Sequence, residues 1–270
     1  MIEHEELFDQ AVEIIGTKKF EQQKEFVQDE VAKQVQSSFE AVLKMPKDSE
    51  KNAPKMSLSG FERTSEVEEK LGITDNFQKL FGFTLNVEAS SVSGAGEGVK
   101  LRGSAPIGSL VALYPGIVYL PEHYKKKQYL SELSNNPYAR ARFDSVIIDA
   151  KKESSKPRNP LAVAHKINHP PSGTPPNVIG FGFEFPLEGS TSEPFTTKEF
   201  DELIPNSFVR EPSRLSMFGK RAIVHGLAFI ATADIADEDE LFLNYRYNPD
   251  RSLPEWYTPV DVDSDRAMWK

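Results

Sequence analysis

The run Ala164-His165-Lys166-Ile167-Asn168-His169-Pro170, followed by Pro176-Asn177, is the stretch whose reading decides the fold. Asn168 and His169 stand between an apolar residue and a proline. Proline ends any regular element there and restricts the residue before it. Both side chains are therefore presented in a set geometry. An amide carries a donor and an acceptor together, and an imidazole carries two ring nitrogens. That combination suits recognition of a polar small molecule. The competing chemistry is zinc, because His165 and His169 lie four apart. A zinc-peptidase helix needs Glu after its first His, and here that place holds Lys166. Pro170 and Pro171 also argue against a helix, so no metal is expected.

Working outward, 270 residues with 39% apolar and 27% charged content suit a soluble globular chain with a full core. The absence of Cys removes disulfides, zinc knuckles, iron–sulfur clusters and a Cys nucleophile. The net charge of −9 disfavours nucleic acid and suits a basic protein or peptide partner. Glu3, Glu5 and Glu6 stand where a secretion signal would be basic and then apolar. The longest apolar run, Ile107 to Leu120, is broken by Gly and Pro and is too short to span a bilayer. A soluble, intracellular protein with no membrane contact is the expectation.

Residues 1–82 read as a helical N-terminal extension. Leu7, Ala11, Ile14 and Ile15 recur at helix spacing, as do Val27, Val31, Val35 and Phe39. Met45 to Gly60 is an aperiodic link, Ser65 with Glu68 makes a capping box, and Gly72 ends that short helix. From Phe83 the period becomes two. Strands are expected at Phe83–Val87, Gly98–Arg102, Leu110–Tyr114, Ile117–Tyr119, Val146–Asp149, Phe181–Phe185, Ala222–Ala231 and Leu241–Tyr247. Such a series, with Gly/Pro turns between, indicates a mostly β (α+β) body. Residues 120–145 are polar, and Lys125 to Lys127 read as a solvated face. Residues 186–220 read as an insertion. The tail, 248–270, carries Trp256 and Tyr257, which are expected to fold back onto the body.

Four short stretches carry the chemistry. Gly94-Ala95-Gly96-Glu97-Gly98 allows close backbone approach, though it lacks the spacing and the following helix of a dinucleotide fingerprint. Tyr114-Pro115-Gly116 is a turn between apolar strands. Ile147-Ile148-Asp149-Ala150 leads to the Asn168-His169 stretch, and Asp239-Glu240-Leu241-Phe242-Leu243-Asn244-Tyr245-Arg246-Tyr247 closes the series. In this order the four resemble the SET-domain family of protein lysine methyltransferases over about residues 83–247. The Asn-Pro-Leu-Ala run at 159–162, Pro-Pro-Asn at 175–177 and the Asn-Tyr-Arg-Tyr ending carry a narrower likeness to one subgroup.

The resemblance implies a β-clip-like fold of several small sheets with a threaded C-terminal segment, and S-adenosyl-L-methionine as methyl donor. By motif position, Gly94, Ala95 and Gly96 would line the donor's amino-acid end, and Asn168 would bond its polar end. His169 would hold the adenine, largely through its backbone. Tyr114 matches the tyrosine of the YxG turn, Tyr245 the catalytic tyrosine, and Tyr247 would wall a lysine channel. The chemistry fits these residue types, because methyl transfer to an amine needs a neutral nucleophile, in-line geometry and no metal.

The departures matter as well. Pro170 and Pro171 replace the family's Ser-Cys, and a short insertion precedes Pro176-Asn177. His165 stands for an Arg, and Asn244 for the Asp before the final Tyr. The flanking zinc clusters are missing, so the Trp256–Tyr257 tail is the candidate for closing the channel. These changes keep a second reading open, a SET-fold module that holds the donor or a peptide without turnover. A hydrolase lacks support, since no Gly-x-Ser-x-Gly elbow occurs.

Overall fold

The computed structural model describes residues 20–45, 73–134, 136–151, 159–186, 198–209 and 223–270. The expected helix over residues 7–15, the link after Met45, the Ser65–Glu68 capping box and most of the 186–220 insertion lie outside them. The expected spacing of Val27, Val31, Val35 and Phe39 falls on helix α1 (Phe20–Lys44). Val31, Val35 and Phe39 are buried in the same core as the sheets. The Phe39 ring stacks on Phe185 with centroids 6.4 Å apart. Gln34 ties the helix to the sheet edge, accepting from Leu110 N at 2.6 Å and donating to Gly108 O at 3.1 Å. The apolar stripe therefore packs on the body.

Helix α2 (Ile73–Phe81) buries Phe77 and stops at Gly82, whose φ of 102° ends the helix while its N–H bonds Gln78 O. The chain then enters β1 (Phe83–Ala89) and β2 (Glu97–Gly103), an antiparallel hairpin. The turn between these strands carries Gly94-Ala95-Gly96. Next come β3 (Leu110–Leu113), β4 (Gly116–Tyr119), α3 (Pro121–Tyr124), α4 (Lys127–Leu133), β5 (Ala139–Ala141) and β6 (Ile147–Asp149). A single 3-10 turn, Ala164–Lys166, precedes Asn168. After it come β7 (Val178–Pro186), α5 (Lys198–Asp201), β8 (Asn206–Phe208), β9 (Ile223–Ala231) and α6 (Val262–Met268).

Among the described residues there are three small sheets, ordered β1-β2, β3-β9-β7 and β5-β6-β4-β8, and of their strand pairings only β4–β8 is parallel. The architecture is α+β with several small sheets. No helix among the described residues is long and apolar enough to cross a membrane.

The polar stretch at 120–145 holds two short helices and β5, with Lys125 to Lys127 exposed as the solvated face expected there and Tyr119, Tyr129 and Leu133 in a small apolar cluster of their own. One expectation changes. Leu241–Tyr247 is not a regular strand. Its residues make single bridges only, Asn168 to Phe242 and Val178 to Leu243. Asn244 Oδ1 then accepts from Arg246 N at 2.9 Å, and Arg246 takes a φ of 54°, so the chain turns where a strand would continue.

Candidate functional site

The loop from Asn168 to Val178 holds the 240–243 segment from both sides. On one side Leu243 N donates to Asn168 O at 2.9 Å. On the other, Asn177 N and Val178 N donate to Phe242 O, Asn177 Oδ1 accepts from Phe242 N at 2.7 Å, and Asn177 Nδ2 donates to Glu240 O at 2.9 Å. This bracketing places Asn168-His169 beside Tyr245. The Tyr245 hydroxyl donates to Ile167 O at 2.9 Å, and Tyr245 N donates to His169 Nδ1 at 3.3 Å. Residues that sequence alone could only align in order thus meet in space.

Asn168 also reaches the glycine turn. Its Nδ2 donates to Glu97 O at 2.8 Å, Ser90 Oγ at 3.0 Å and Glu240 Oε1 at 3.3 Å. Among the described residues none bonds its Oδ1. Gly94 and Gly96 have φ of 79° and 77°, and an added Cβ would meet nothing within 4 Å. Positive φ, rather than crowding, is what requires glycine there. Gly98 is the opposite case: a Cβ would lie 2.1 Å from Glu240 Oε1 and 3.1 Å from Asn168 Nδ2.

Glu240 was missed by the sequence reading. Its carboxylate accepts from Ser90 Oγ, Ser91 N and Ser91 Oγ at 2.6–2.7 Å as well as from Asn168. Burial works against its charge, but these donors together hold it below the usual carboxylate range. An acidic residue at a turn gives no sequence sign that it anchors a distant hairpin.

His169 is buried and neutral in its bonding. Burial pushes its imidazole down, against the opposing pull of Thr258 O, which accepts from Nε2 at 2.7 Å. Nδ1 is then the acceptor for Tyr245 N. Both ring nitrogens are used. No described residue bonds the backbone N–H or C=O of His169.

The tail folds back as expected. Tyr257 stacks on His169 at 4.2 Å and on Tyr247 at 4.7 Å, and Trp256 stands edge-on 6.2 Å from Tyr245. Tyr245 and Tyr247 are 5.9 Å apart. Burial pushes the Tyr245 phenol up to about 12, in spite of the nearby Arg140 guanidinium. Burial also raises Tyr114, whose hydroxyl donates to Tyr138 O at 2.9 Å. His165 lies edge-on to Tyr114 at 6.5 Å and to Tyr138 at 6.3 Å. It sits on the 3-10 turn while Ile167 is extended, so His165 and His169 do not share a helix face.

Asn244, the departure from the family's Asp, has a partner. Its Nδ2 donates to Asp265 Oδ1 at 3.1 Å, on helix α6, and Asp265 is fully buried. Asp144, Glu184 and His225 form a group of metal-ligating type elsewhere. Arg142 fills it, donating to both carboxylates.

No protein-family model matches the chain. Two curated relatives are distantly similar. The chain is 25% identical over 195 residues to SET domain-containing protein 9 of Homo sapiens, covering 62% of this chain and 59% of that protein. The counterpart of the same name from Pongo abelii is also 25% identical over 195 residues, with 65% of its length covered. The match therefore spans under two thirds of either relative. The likeness to SET-domain proteins is a distant one.

Proposed function

We infer that the chain is an S-adenosyl-L-methionine-dependent methyltransferase acting on a lysine of a protein, with a basic protein or peptide as partner. In this reading residues 83–247 are the catalytic body, 1–82 an N-terminal extension and 248–270 a tail. One observation carries the reading: Asn168 Nδ2 donates to Glu97 O, next to the Gly94–Gly96 turn, while Tyr245 bonds Ile167 O and His169 Nδ1, so the three stretches meet at one place.

The residues present fit the donor. Asn168 Oδ1 and the His169 backbone are polar groups without protein partners among the described residues, and open space adjoins Gly94 and Gly96. The donor, when bound, supplies an electrophilic methyl on a sulfonium. The chain's part is positional. Asn168 and the glycine turn orient the polar end, and His169 offers its backbone to a base edge. Tyr245, held neutral, donates its proton to Ile167 O and keeps its oxygen lone pairs for weak C–H···O contacts. Tyr247, Trp256 and Tyr257 form an aromatic wall beside Tyr245, where a partly desolvated amine would favour its neutral form.

Calorimetry with S-adenosylhomocysteine and radiolabelled methyl incorporation into a protein lysate test this. Binding heat is expected in wild type, and labelling is expected to vanish in Tyr245→Phe. Absence of binding heat would sink the reading. Binding without labelling over a broad panel would favour a donor-holding module instead.

A further inference from the structure

Arg140 lies on β5, where alternation sends Ala139 and Ala141 to the other face. Those two line a shallow depression with Leu133, Asn136, Pro137 and Ile147. Arg140 itself turns toward the site. Its Cζ is 5.7 Å from the centroid of the Tyr245 ring. Its charge also acts on Tyr114 and Tyr247. Among the described residues no carboxylate pairs with it and no acceptor takes a hydrogen bond from it. Asp149, on the paired strand β6, is committed elsewhere, accepting from Asn136 Nδ2 at 2.7 Å and Lys151 N at 2.8 Å. Arg142, two residues on, shows the contrast, since it is paired with Asp144 and Glu184.

A half-buried cation without a counter-ion is costly, and it commonly marks a place where charge has a task. The groups facing Arg140 are the phenols of Tyr114, Tyr245 and Tyr247, with Tyr138 bonded to Tyr114 through its carbonyl. Burial keeps the first two protonated, so they supply no negative charge.

We propose that Arg140 is a specificity-determining residue that sets the charge of whatever enters beside Tyr245, admitting an uncharged chain end and disfavouring an ammonium. This rests on the reading that the acceptor approaches Tyr245. A fixed like charge disfavours the charged form of a titratable guest. At about 6 Å, partly screened by solvent, one unit charge changes the ratio of neutral to cationic occupancy by about tenfold. A methyl acceptor must be neutral to react, so the same charge that weakens ammonium entry would raise the reactive fraction of a bound amine.

The test needs no turnover. Degenerate-flank peptide pools carrying lysine or norleucine at a fixed central position are passed at pH 7 over the immobilised, donor-free full chain. Norleucine has the same carbon stem without the charge. The retention ratio of norleucine to lysine is expected to fall about tenfold in Arg140→Met and to persist in Arg140→Lys. Thermal melting of both variants checks folding. An unchanged ratio in Arg140→Met overturns the proposal, and so does failure of the wild type to retain either pool. Collapse of the ratio in Arg140→Lys overturns it too, because shape rather than charge would then govern. Absence of S-adenosylhomocysteine heat would sink the methyltransferase reading alone and leave the pool ratio readable.

Discussion

Replacing Glu240 by Gln keeps its shape and removes its charge. In the native protein Oε1 accepts from Ser90 Oγ at 2.7 Å and Asn168 Nδ2 at 3.3 Å. Oε2 accepts from Ser91 N at 2.7 Å and Ser91 Oγ at 2.6 Å. Gln has one acceptor oxygen. With its NH2 in the Oε2 place it faces the Ser91 backbone N–H, which cannot rotate away. With its NH2 in the Oε1 place it faces the Asn168 amide. Either way one donor in a site only 7% exposed is left without a partner, while the hydroxyls can turn. Hydrogen bonds to a charged group contribute about 1.5–3 kcal/mol each, so one outright loss with weakening of the rest gives a cost of about 2–3 kcal/mol. That corresponds to a fall in Tm of roughly 5–10 °C for a chain of this size. The sign with pH follows from the depressed carboxyl. The native pKa lies below the unfolded one, so the contribution is fully present above the unfolded value of about 4.3 and is lost as pH falls through the native value. Urea unfolding of wild type and variant at pH 7.5, 5.5 and 3.5 measures it. The gap should be equal at the two higher values and narrow at the lowest. A gap below about 0.5 kcal/mol at pH 7.5, or one of the same size at pH 3.5, would refute the reasoning, since an exposed or neutral Glu240 gives that result.

Two more perturbations read other parts of the molecule. Arg142→Met removes a guanidinium that is 2% exposed and bonds Phe183 O at 3.1 Å, Gly226 O at 2.6 Å, Asp144 and Glu184; a loss of about 3–5 kcal/mol is expected in urea unfolding, because two carboxylates and two carbonyls lose their donor. Asn244→Asp would bring a second carboxylate to the buried Asp265, so the tail should detach and become sensitive to limited proteolysis after about residue 248, with the β core intact by circular dichroism.

The sequence was most legible where periodicity and burial agree. Val31, Val35 and Phe39 announced their helix face, and the alternation from Phe83 announced β1. Legibility failed at Leu241–Tyr247, which has the alternation of a strand. Its partners are two points of one loop rather than a neighbouring strand, and the Asn244 side chain then captures Arg246 N. The candidate site divides the same way. Gly94, Gly96, Asn168 and Tyr245 were legible as candidates because their order in the chain resembled a known one. Glu240 and Arg140 were not, because each acts on partners distant in sequence: Glu240 on Ser90, Ser91 and Asn168, and Arg140 on Tyr114 and Tyr245. Nothing in the local pattern of a charged residue says which surface it will meet.

Asn244 shows how a departure from a motif becomes intelligible once the tail is in place. Taken in sequence alone, an amide where the resembled family has an acid counts against turnover. In the fold, that amide is the piece that accepts the tail: it donates to Asp265, accepts from Arg246 N and lies 3.4 Å from the Tyr257 hydroxyl. The Tyr257 hydroxyl in turn accepts from Tyr247 N at 3.1 Å, and its ring stacks on His169. An aspartate at 244 would repel Asp265 and lose this register, so the amide and the buried acid belong to one device. That device sets Tyr257 and Trp256 over the aromatic side of the site in a chain that has no cysteine with which to build a metal-clamped cap. The change at 244 therefore bears on how the site is closed rather than on the Tyr245 hydroxyl, whose bond to Ile167 O does not pass through it.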